Sequence, residues 1–179
     1  EAAKRNALSD IEVLCYSKLS DCVNEIAKKH GIKNIAIEED FVTVSQLENL
    51  KKSLNADVNS DFKLSRELFG LRAVKSDTEI EKIKTAQKIA EKSYLEILNH
   101  LKQGVTEREV AVELEYLMKK NGAEKVAFDL IVVSGVNSSL PHGVPSSKII
   151  QSGDFVTFDI GAVYDGYHSD MTRTIALSY

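Results

Sequence analysis

The stretch FDIGAVYDGYHSDMTRT, residues 158–174, is typical of a β-hairpin that carries two aspartates in its strands. Apolar and β-branched residues alternate with polar ones on both sides of Asp165-Gly166, and an Asp-Gly pair is among the strongest sequence indications of a hairpin turn. Aspartate is depleted in strands, because its short charged side chain does not suit a pleated, half-buried surface. The positions of Asp159 and Asp170 therefore need an explanation.

Strand alternation brings the two aspartates close together on one face of the hairpin. A two-residue loop at Tyr164-Asp165 sets Asp159 directly opposite Asp170, and a loop at Asp165-Gly166 offsets them by two positions. Directly opposed β-carbons lie about 4.5 to 5.5 Å apart, and like charges at that distance destabilise a sheet. Both registers thus predict a cation near the two carboxylates.

Two kinds of cation would satisfy this requirement: a nearby Arg or Lys, or divalent metal ions. Arg173 points to the opposite face in this register, which makes it a poor counter-ion for Asp159 and Asp170. Carboxylate oxygens suit Mn, Mg or Zn-type ions, and two metals about 3.5 to 4 Å apart are able to generate hydroxide from water. Alternatively, both aspartates face solvent on an exposed side of the sheet, and the spacing alone does not decide between these interpretations.

The residues ahead of the hairpin predict two helices. Ser76 with Glu79, and Thr106 with Glu109, each match the capping-box pattern, which places a helix start at each pair. Apolar residues at helical spacing follow both starts, and they continue along the first helix until Gly104 supplies the stop. Both helices should therefore bury one apolar face.

The first 70 residues alternate helix and strand. An apolar stripe that begins at Leu19 ends at Gly31, which predicts a helix and its C-terminal stop. The sequence NIAIE, residues 34–38, predicts a short buried strand, and Ser45 with Glu48 matches a capping box for a second helix. This part of the chain is typical of an α/β unit.

The pattern changes near residue 72, which predicts a domain boundary there. From FDLIVVSG, residues 128–135, the spacing of apolar residues is that of strands, so the second unit consists of two helices followed by a mostly antiparallel sheet. We therefore expect one domain at residues 1–71, another at residues 72–179, and a mixed α+β fold.

Composition excludes two classes of partner. The 179 residues carry a net charge of −4 with a pI near 5.6, and lysines are interleaved with glutamates, so no nucleic acid is expected to bind. No apolar run approaches the length of a membrane span, so no membrane association is expected. Cys15 and Cys22 are too few for a disulfide framework, which predicts buried free thiols and a cytoplasmic protein.

The second unit closely resembles the pita-bread metallopeptidases, in particular their Xaa-Pro aminopeptidase and prolidase branch. Two motifs carry the resemblance in the family's order: LPHGVPS, residues 140–146, and the quoted hairpin. Sixteen residues lie between His142 and Asp159, and ten lie between Asp159 and Asp170. The helices KSDTEIEKIKTAQKIAE and GVTEREVAVELE are also similar to that family's. The first 70 residues are similar to the end of the creatinase-like domain that precedes the catalytic domain in this branch.

The resemblance implies a site for two divalent ions, with manganese expected and cobalt or zinc as alternatives. Asp159 matches the aspartate that binds one ion through both oxygens, and Asp170 matches the aspartate that bridges the pair. His142 matches a catalytic histidine that holds the scissile peptide group and stabilises its tetrahedral intermediate. Thr172, on the same face as Asp170, is expected to orient the carboxylate.

In this family, a histidine and two glutamates that complete the metal site lie well after the SDMTRT motif. Here the sequence ends five residues beyond Thr174, and all four histidines precede Asp170. We therefore expect a piece of an enzyme: the first half of a pita-bread domain, preceded by part of a creatinase-like domain. Such a piece is expected to be inactive and to bind metals weakly, because affinity depends on the number of ligands.

The expected function of the parent protein is metal-dependent hydrolysis of the bond between an N-terminal residue and proline, by an aminopeptidase or dipeptidase. Its substrate would be a peptide with proline at the second position. Half of such a domain should expose a sheet edge and an apolar surface, which favours self-association and predicts a homo-oligomer. The alternative is a pita-bread module that binds a peptide or a protein without catalysis.

Overall fold

The computed structural model of the chain describes residues 11–61 and 63–177. These residues form helices and both parallel and antiparallel strands, so the predicted α+β class is confirmed. Of the helices in the described ranges, none is both long and apolar enough to cross a bilayer.

The chain divides into two compact units, with the boundary between Val74 and Lys75. This boundary lies three residues after the one expected from the change of sequence pattern. Residues 1–10 and 178–179, the outer limits of the two predicted domains, lie outside the described part of the chain.

The N-terminal unit contains three helices and two strands in the residues that the structure describes. They are α1 (Leu19–His30), β1 (Asn34–Ala36), α2 (Val44–Ser53), β2 (Asp57–Asn59) and α3 (Lys63–Ala73). The two strands are parallel, with Ile35 opposite Val58. Helix α1 ends as predicted. Gly31 adopts a left-handed conformation with φ of 67°, and its backbone amide donates to carbonyl oxygens of the last turn.

The capping box of α2 differs from the predicted one. Thr43 and Gln46 form it, not Ser45 and Glu48: the Gln46 amide donates to Thr43 Oγ1 at 3.2 Å, and the Thr43 amide donates to Gln46 Oε1 at 2.8 Å. Both pairs match the same sequence pattern, so only the backbone conformation distinguishes them.

Two further expectations for this unit were wrong or incomplete. Strand β1 is not buried: only Ile35 is half-buried, because a two-stranded sheet covers little surface. The sequence pattern did not indicate β2 or α3. The expected burial of the two thiols is also wrong, because Cys15 is exposed and Cys22 is only half-buried.

The C-terminal unit begins with two helices, whose predicted capping boxes both form. Its elements are α4 (Asp77–Ile97), α5 (Glu107–Lys120), β3 (Lys125–Val126), β4 (Ile131–Ser134), a 3-10 helix (Gly135–Ser139), β5 (Phe155–Ile160), β6 (Ala162–Tyr164), β7 (Tyr167–His168) and β8 (Met171–Ala176). Helix α4 ends seven residues before Gly104, where the sequence placed its stop. Leu101, beyond the end of the helix, also packs against the core, so the apolar sequence pattern extends further along the chain than the helix does.

The strands of this unit form two antiparallel sheets, with the orders β3-β6-β7 and β4-β5-β8. Alternate residues of β5, among them Phe158 and Ile160, are fully buried in the core that the two helices cover. Tyr94 of α4 meets Phe158 edge to face, with ring centroids 5.5 Å apart. The other face of β5 carries Thr157 and Asp159, which therefore lie opposite the core.

The predicted single hairpin is divided between the two sheets. Strands β5 and β8 pair in one sheet and β6 and β7 in the other, with Gly161 at the transition. A Cβ on Gly161 would overlap the backbone carbonyl oxygen of Ser169, so only glycine allows the strands this close. The transition places an irregular backbone next to both aspartates.

Candidate metal and substrate site

The hairpin holds Asp159 and Asp170 as diagonal neighbours. Its turn is Asp165-Gly166, and its ladder sets Asp159 opposite Thr172. Of the two registers considered, direct opposition is therefore wrong and the offset by two positions is confirmed. Diagonal neighbours in a regular sheet lie about 7 to 8 Å apart. Thr172 Oγ1 donates a 2.8 Å hydrogen bond to Asp159 Oδ1, so the carboxylate that Thr172 orients is that of Asp159.

Asp170 directly follows a buried residue, Ser169, at the transition between the sheets. The Ser169 amide donates to the Ala162 carbonyl at 2.9 Å, and the Ser169 hydroxyl accepts the Ala162 amide at 3.0 Å. Irregular strand pairing of this kind often re-aims side chains at functional sites. Asp170 is exposed just beyond it. Nothing in the spacing distinguishes Ser169 from other polar strand residues, so its role was not predicted.

Within the described residues, no protein cation forms an ion pair with either aspartate. Arg173 lies opposite Phe158 in the ladder and donates to the Thr172 carbonyl at 2.8 Å, in agreement with its predicted orientation away from Asp159. Residues 11–61 and 63–177 contain no group of three or more His, Cys, Asp or Glu side chains that could hold a metal ion. The two aspartates nevertheless fit such an ion, because they supply two anionic oxygen ligands.

His142 lies in an exposed loop that packs over the face of the sheet that carries Asp159. In the pairing of β4 with β5, Val133 is opposite Thr157. Paired residues share a face, and alternation puts Thr157 on the face of Asp159. Gly143 packs closely on Val133, since a Cβ at Gly143 would lie 2.7 Å from Val133 Cγ1. The loop that carries His142 therefore lies on the side of the sheet that carries Asp159.

A buried carboxylate that the sequence did not single out joins the two ends of this loop. Glu107, in the first turn of α5, has no exposed surface and accepts hydrogen bonds from Ser134, Asn137 and Ser146. Burial raises the pKa of the Glu107 carboxyl, but these hydrogen bonds lower it more, so the pKa lies below its usual value. Glu107 is therefore a carboxylate at neutral pH. The capping box beside it was the only local signal.

The tip of the hairpin is fixed to helix α4 by polar contacts. Tyr167 donates its hydroxyl to Glu79 Oε1 at 2.9 Å, and Lys82 pairs with Asp165 at 2.7 Å. The Lys82 ammonium also lies 5.2 Å from the centre of the Tyr167 ring. These contacts set the direction of the hairpin relative to the helix.

Comparison with known proteins identifies a matching family model and similar chains of known structure. The model of metallopeptidase family M24 matches residues 81–178. The Xaa-Pro dipeptidase of Pyrococcus horikoshii is 41% identical over 169 residues, which cover 94% of this chain and 46% of the relative. The chain thus spans about half the length of the curated relatives that it matches.

Two solved structures are similar to nearly the whole chain. An Xaa-Pro dipeptidase from Bacillus anthracis has a TM-score of 0.92 and 41% identity, covering 99% of this chain and 49% of its own. An X-Pro aminopeptidase from Thermotoga maritima has a TM-score of 0.85 and 38% identity, covering 97% of this chain and 48% of its own.

Proposed function

The chain belongs to metallopeptidase family M24, and on this premise we propose that its full-length protein removes the residue that precedes proline at the start of a peptide. The resemblance to the pita-bread metallopeptidases is confirmed. One observation carries the proposal: Asp159 and Asp170 are neighbours in the sheet, and the loop of His142 packs over the same side. The similar proteins are named as Xaa-Pro dipeptidase and X-Pro aminopeptidase, which supports a substrate with proline at its second position.

In this proposal, Asp159 and Asp170 hold two divalent metal ions, manganese first, with cobalt or zinc as alternatives. Their carboxylates are of the donor type that such ions prefer, and the described residues offer them no competing ion pair. Bound metal ions polarise a carbonyl group and lower the pKa of water. The chain itself contributes the negative charge, and the Thr172 hydroxyl holds Asp159 in orientation.

His142 is assigned to the substrate side of the site as a catalytic residue. Its loop lies over the face of Asp159, and its side chain is exposed, so it is accessible to a peptide bound there. An imidazole N–H would donate to the carbonyl oxygen of the scissile bond and stabilise the negative charge that develops on it. Removing one such donor typically costs about 10² to 10³ in rate.

The finer features of the parent protein are also proposals. Residues 72–179 would form the first half of a pita-bread catalytic domain, and residues 1–71 part of a creatinase-like domain. A homo-oligomer is supported by strand β8, which pairs on one side only among the described strands. A cytoplasmic location is supported by the free thiols of Cys15 and Cys22.

Metal-dependent release of a first residue is the direct test of the activity. Full-length protein stripped by a chelator and reloaded with manganese is expected to cleave an Xaa-Pro-Xaa peptide at least about tenfold faster than the matched Xaa-Ala-Xaa peptide. Chromatography of the released amino acid measures the rate, with cobalt and zinc in parallel. The 179-residue chain alone is the control and is expected to be inactive.

Two results would contradict the peptidase. One is the absence of cleavage with all three metals in a folded full-length protein. The other is equal cleavage before and after the metal is removed. Peptide binding without cleavage and without metal dependence would instead support a non-catalytic binding module.

Thr172→Val is expected to weaken manganese binding by the full-length protein about tenfold, because partners that orient a ligand contribute about 10- to 100-fold in affinity. Valine keeps the shape of threonine but removes the donor to Asp159. Thr174→Val is the matched control, since Thr174 lies on the same face and, among the described residues, its hydroxyl shares a hydrogen bond only with Thr157, at 3.0 Å. Isothermal titration with manganese compares the two, and equal affinities would contradict the role of Thr172.

A further inference from the structure

We propose that Glu107 is a positioning residue for His142, because its buried carboxylate accepts hydrogen bonds from both ends of the loop that carries the histidine. The catalytic part of this inference rests on the proposed peptidase function. The structural part, that Glu107 holds the loop, does not depend on it.

The two oxygens of Glu107 accept hydrogen bonds from both arms of the loop, which are the segments before and after His142. Oε1 accepts the Ser134 amide at 2.7 Å, the Ser134 hydroxyl at 3.0 Å and the Asn137 side-chain amide at 3.2 Å. Oε2 accepts the Ser146 amide at 3.1 Å and the Ser146 hydroxyl at 2.7 Å, and the Asn137 side-chain amide also reaches it at 3.4 Å. Ser134 precedes His142 and Ser146 follows it, so one side chain fixes the loop at both ends.

The start of helix α5 holds the second arm by its backbone as well. The Glu107 amide donates to the Lys148 carbonyl at 3.1 Å, and the Arg108 amide donates to the Ser146 carbonyl at 3.0 Å. These bonds satisfy amides that would otherwise be unpaired at a helix start. The first arm has no such backbone bond to the helix among the described residues, so the Glu107 carboxylate supplies its hydrogen bonds to α5.

Neighbouring groups fix the direction of these hydrogen bonds. Lys148 Nζ donates to Ser134 Oγ at 2.8 Å and pairs with Asp154 at 2.8 Å, so the Ser134 hydroxyl accepts from Lys148 and donates to Glu107. The Lys148 amide likewise donates to Ser146 Oγ at 3.1 Å. Every group that faces Glu107 is therefore a donor, and only an ionised carboxylate accepts from all of them.

A glutamine at position 107 would fill the same volume but could not accept hydrogen bonds from the donors of both arms. With its oxygen towards Ser134, its NH₂ group would face the Ser146 amide, which is also a donor. A hydroxyl can rotate to accept a hydrogen bond, whereas a backbone amide cannot. We therefore expect Glu107→Gln to release one arm while the helix and the sheet remain.

Hydrogen exchange tests the structural part directly. In full-length Glu107→Gln protein, peptides that cover residues 134–147 should exchange at least about tenfold faster than in the wild type, as expected when a local segment opens more easily. Glu109→Gln is the matched control: Glu109 lies in the same helical turn, but among the described residues its carboxylate accepts hydrogen bonds only from Thr106. Exchange that is unchanged in a folded Glu107→Gln protein would overturn the inference.

A double-mutant cycle tests the catalytic part. Glu107→Gln should lower kcat for the Xaa-Pro-Xaa peptide by about 100-fold with little change in KM, because a small misplacement of a catalytic group has an effect of that size. His142→Ala should cost a similar factor alone and little more in the Glu107→Gln background. Independent, multiplying losses would overturn the positioning role, because they would show that His142 functions equally well without Glu107.

A second variant and a second measurement distinguish the role of Glu107 from the proposed peptidase function. If Glu107→Gln does not fold, Ser146→Ala removes a single donor from the same carboxylate, and faster exchange of residues 134–147 is again the expected result. If the protein folds but has no peptidase activity, the exchange data still decide whether Glu107 holds the loop. If the wild-type protein itself has no activity, the proposed peptidase function is contradicted, but the role of Glu107 in the loop is not.

Discussion

Asp170→Asn is expected to abolish the metal-dependent cleavage of an Xaa-Pro-Xaa peptide, with a loss on the order of 10³-fold, the upper end of what one electrostatic group contributes. Asparagine has the same shape but lacks the charge and one anionic oxygen, so the carboxylate pair with Asp159 is lost. The exposed position of Asp170, outside the core, means that the fold should tolerate the change. The effect should therefore appear in metal binding and rate and not in stability.

Asp165→Asn is the matched control for this variant. Asp165 lies in the turn of the same hairpin with φ of 47°, a conformation that asparagine adopts readily, and it pairs with Lys82 at the surface. Loss of an exposed ion pair costs about 0 to 1 kcal/mol, so near-normal activity is expected. Manganese titration and peptide cleavage should separate the two variants. An Asp170→Asn protein that retains wild-type manganese affinity would contradict the assignment of Asp170 as a ligand.

Gly161→Ala is expected to destabilise the C-terminal unit by about 3 kcal/mol or more, the upper range for forcing an atom into a packed site. A Cβ there would overlap the Ser169 carbonyl oxygen and lie 2.9 Å from the Phe128 ring and 3.0 Å from the Ala127 Cβ. The carbonyl belongs to the backbone next to Asp170, so it cannot move away without shifting the aspartate. The same substitution should therefore also weaken metal binding.

Gly166→Ala separates lack of space from backbone conformation. Gly166 has φ of 77°, and no atom of the described residues lies within 4 Å of the position that a Cβ would take, so alanine there costs only the left-handed conformation, about 1 to 2 kcal/mol. Denaturant unfolding of both proteins measures the difference. A Gly161→Ala protein as stable as Gly166→Ala would show that the two strands have room to separate at the transition between the sheets.

Local chemistry explains which elements were predicted correctly. The capping boxes at Ser76 and Thr106 involve residues three apart, and Asp165-Gly166 forms the turn by its own conformational preferences. The capping box of α2 was misplaced because Thr43 and Ser45 both match the pattern. Where two capping boxes are equivalent in sequence, only the backbone conformation shows which one forms.

The candidate site was predicted in part for the same reason. Asp159 and Asp170 lie on one hairpin, so their proximity follows from strand alternation and a short turn. Glu107 was not predicted, because its partners lie 27 to 39 residues away in the chain. A glutamate in the first turn of a helix is ordinary in sequence, and only its burial against five donor groups, from Ser134, Asn137 and Ser146, makes it exceptional.

The two helices of the C-terminal unit, the turn of the hairpin and the pair of aspartates follow from the sequence alone, because each depends on residues close together in the chain. The offset of those aspartates, the division of the hairpin between two sheets at Gly161, and the attachment of the His142 loop to Glu107 depend on the folded structure. These features depend on the space and the hydrogen-bond donors that distant segments present to one another. Their energies arise only when the segments are packed together, so no local pattern encodes them.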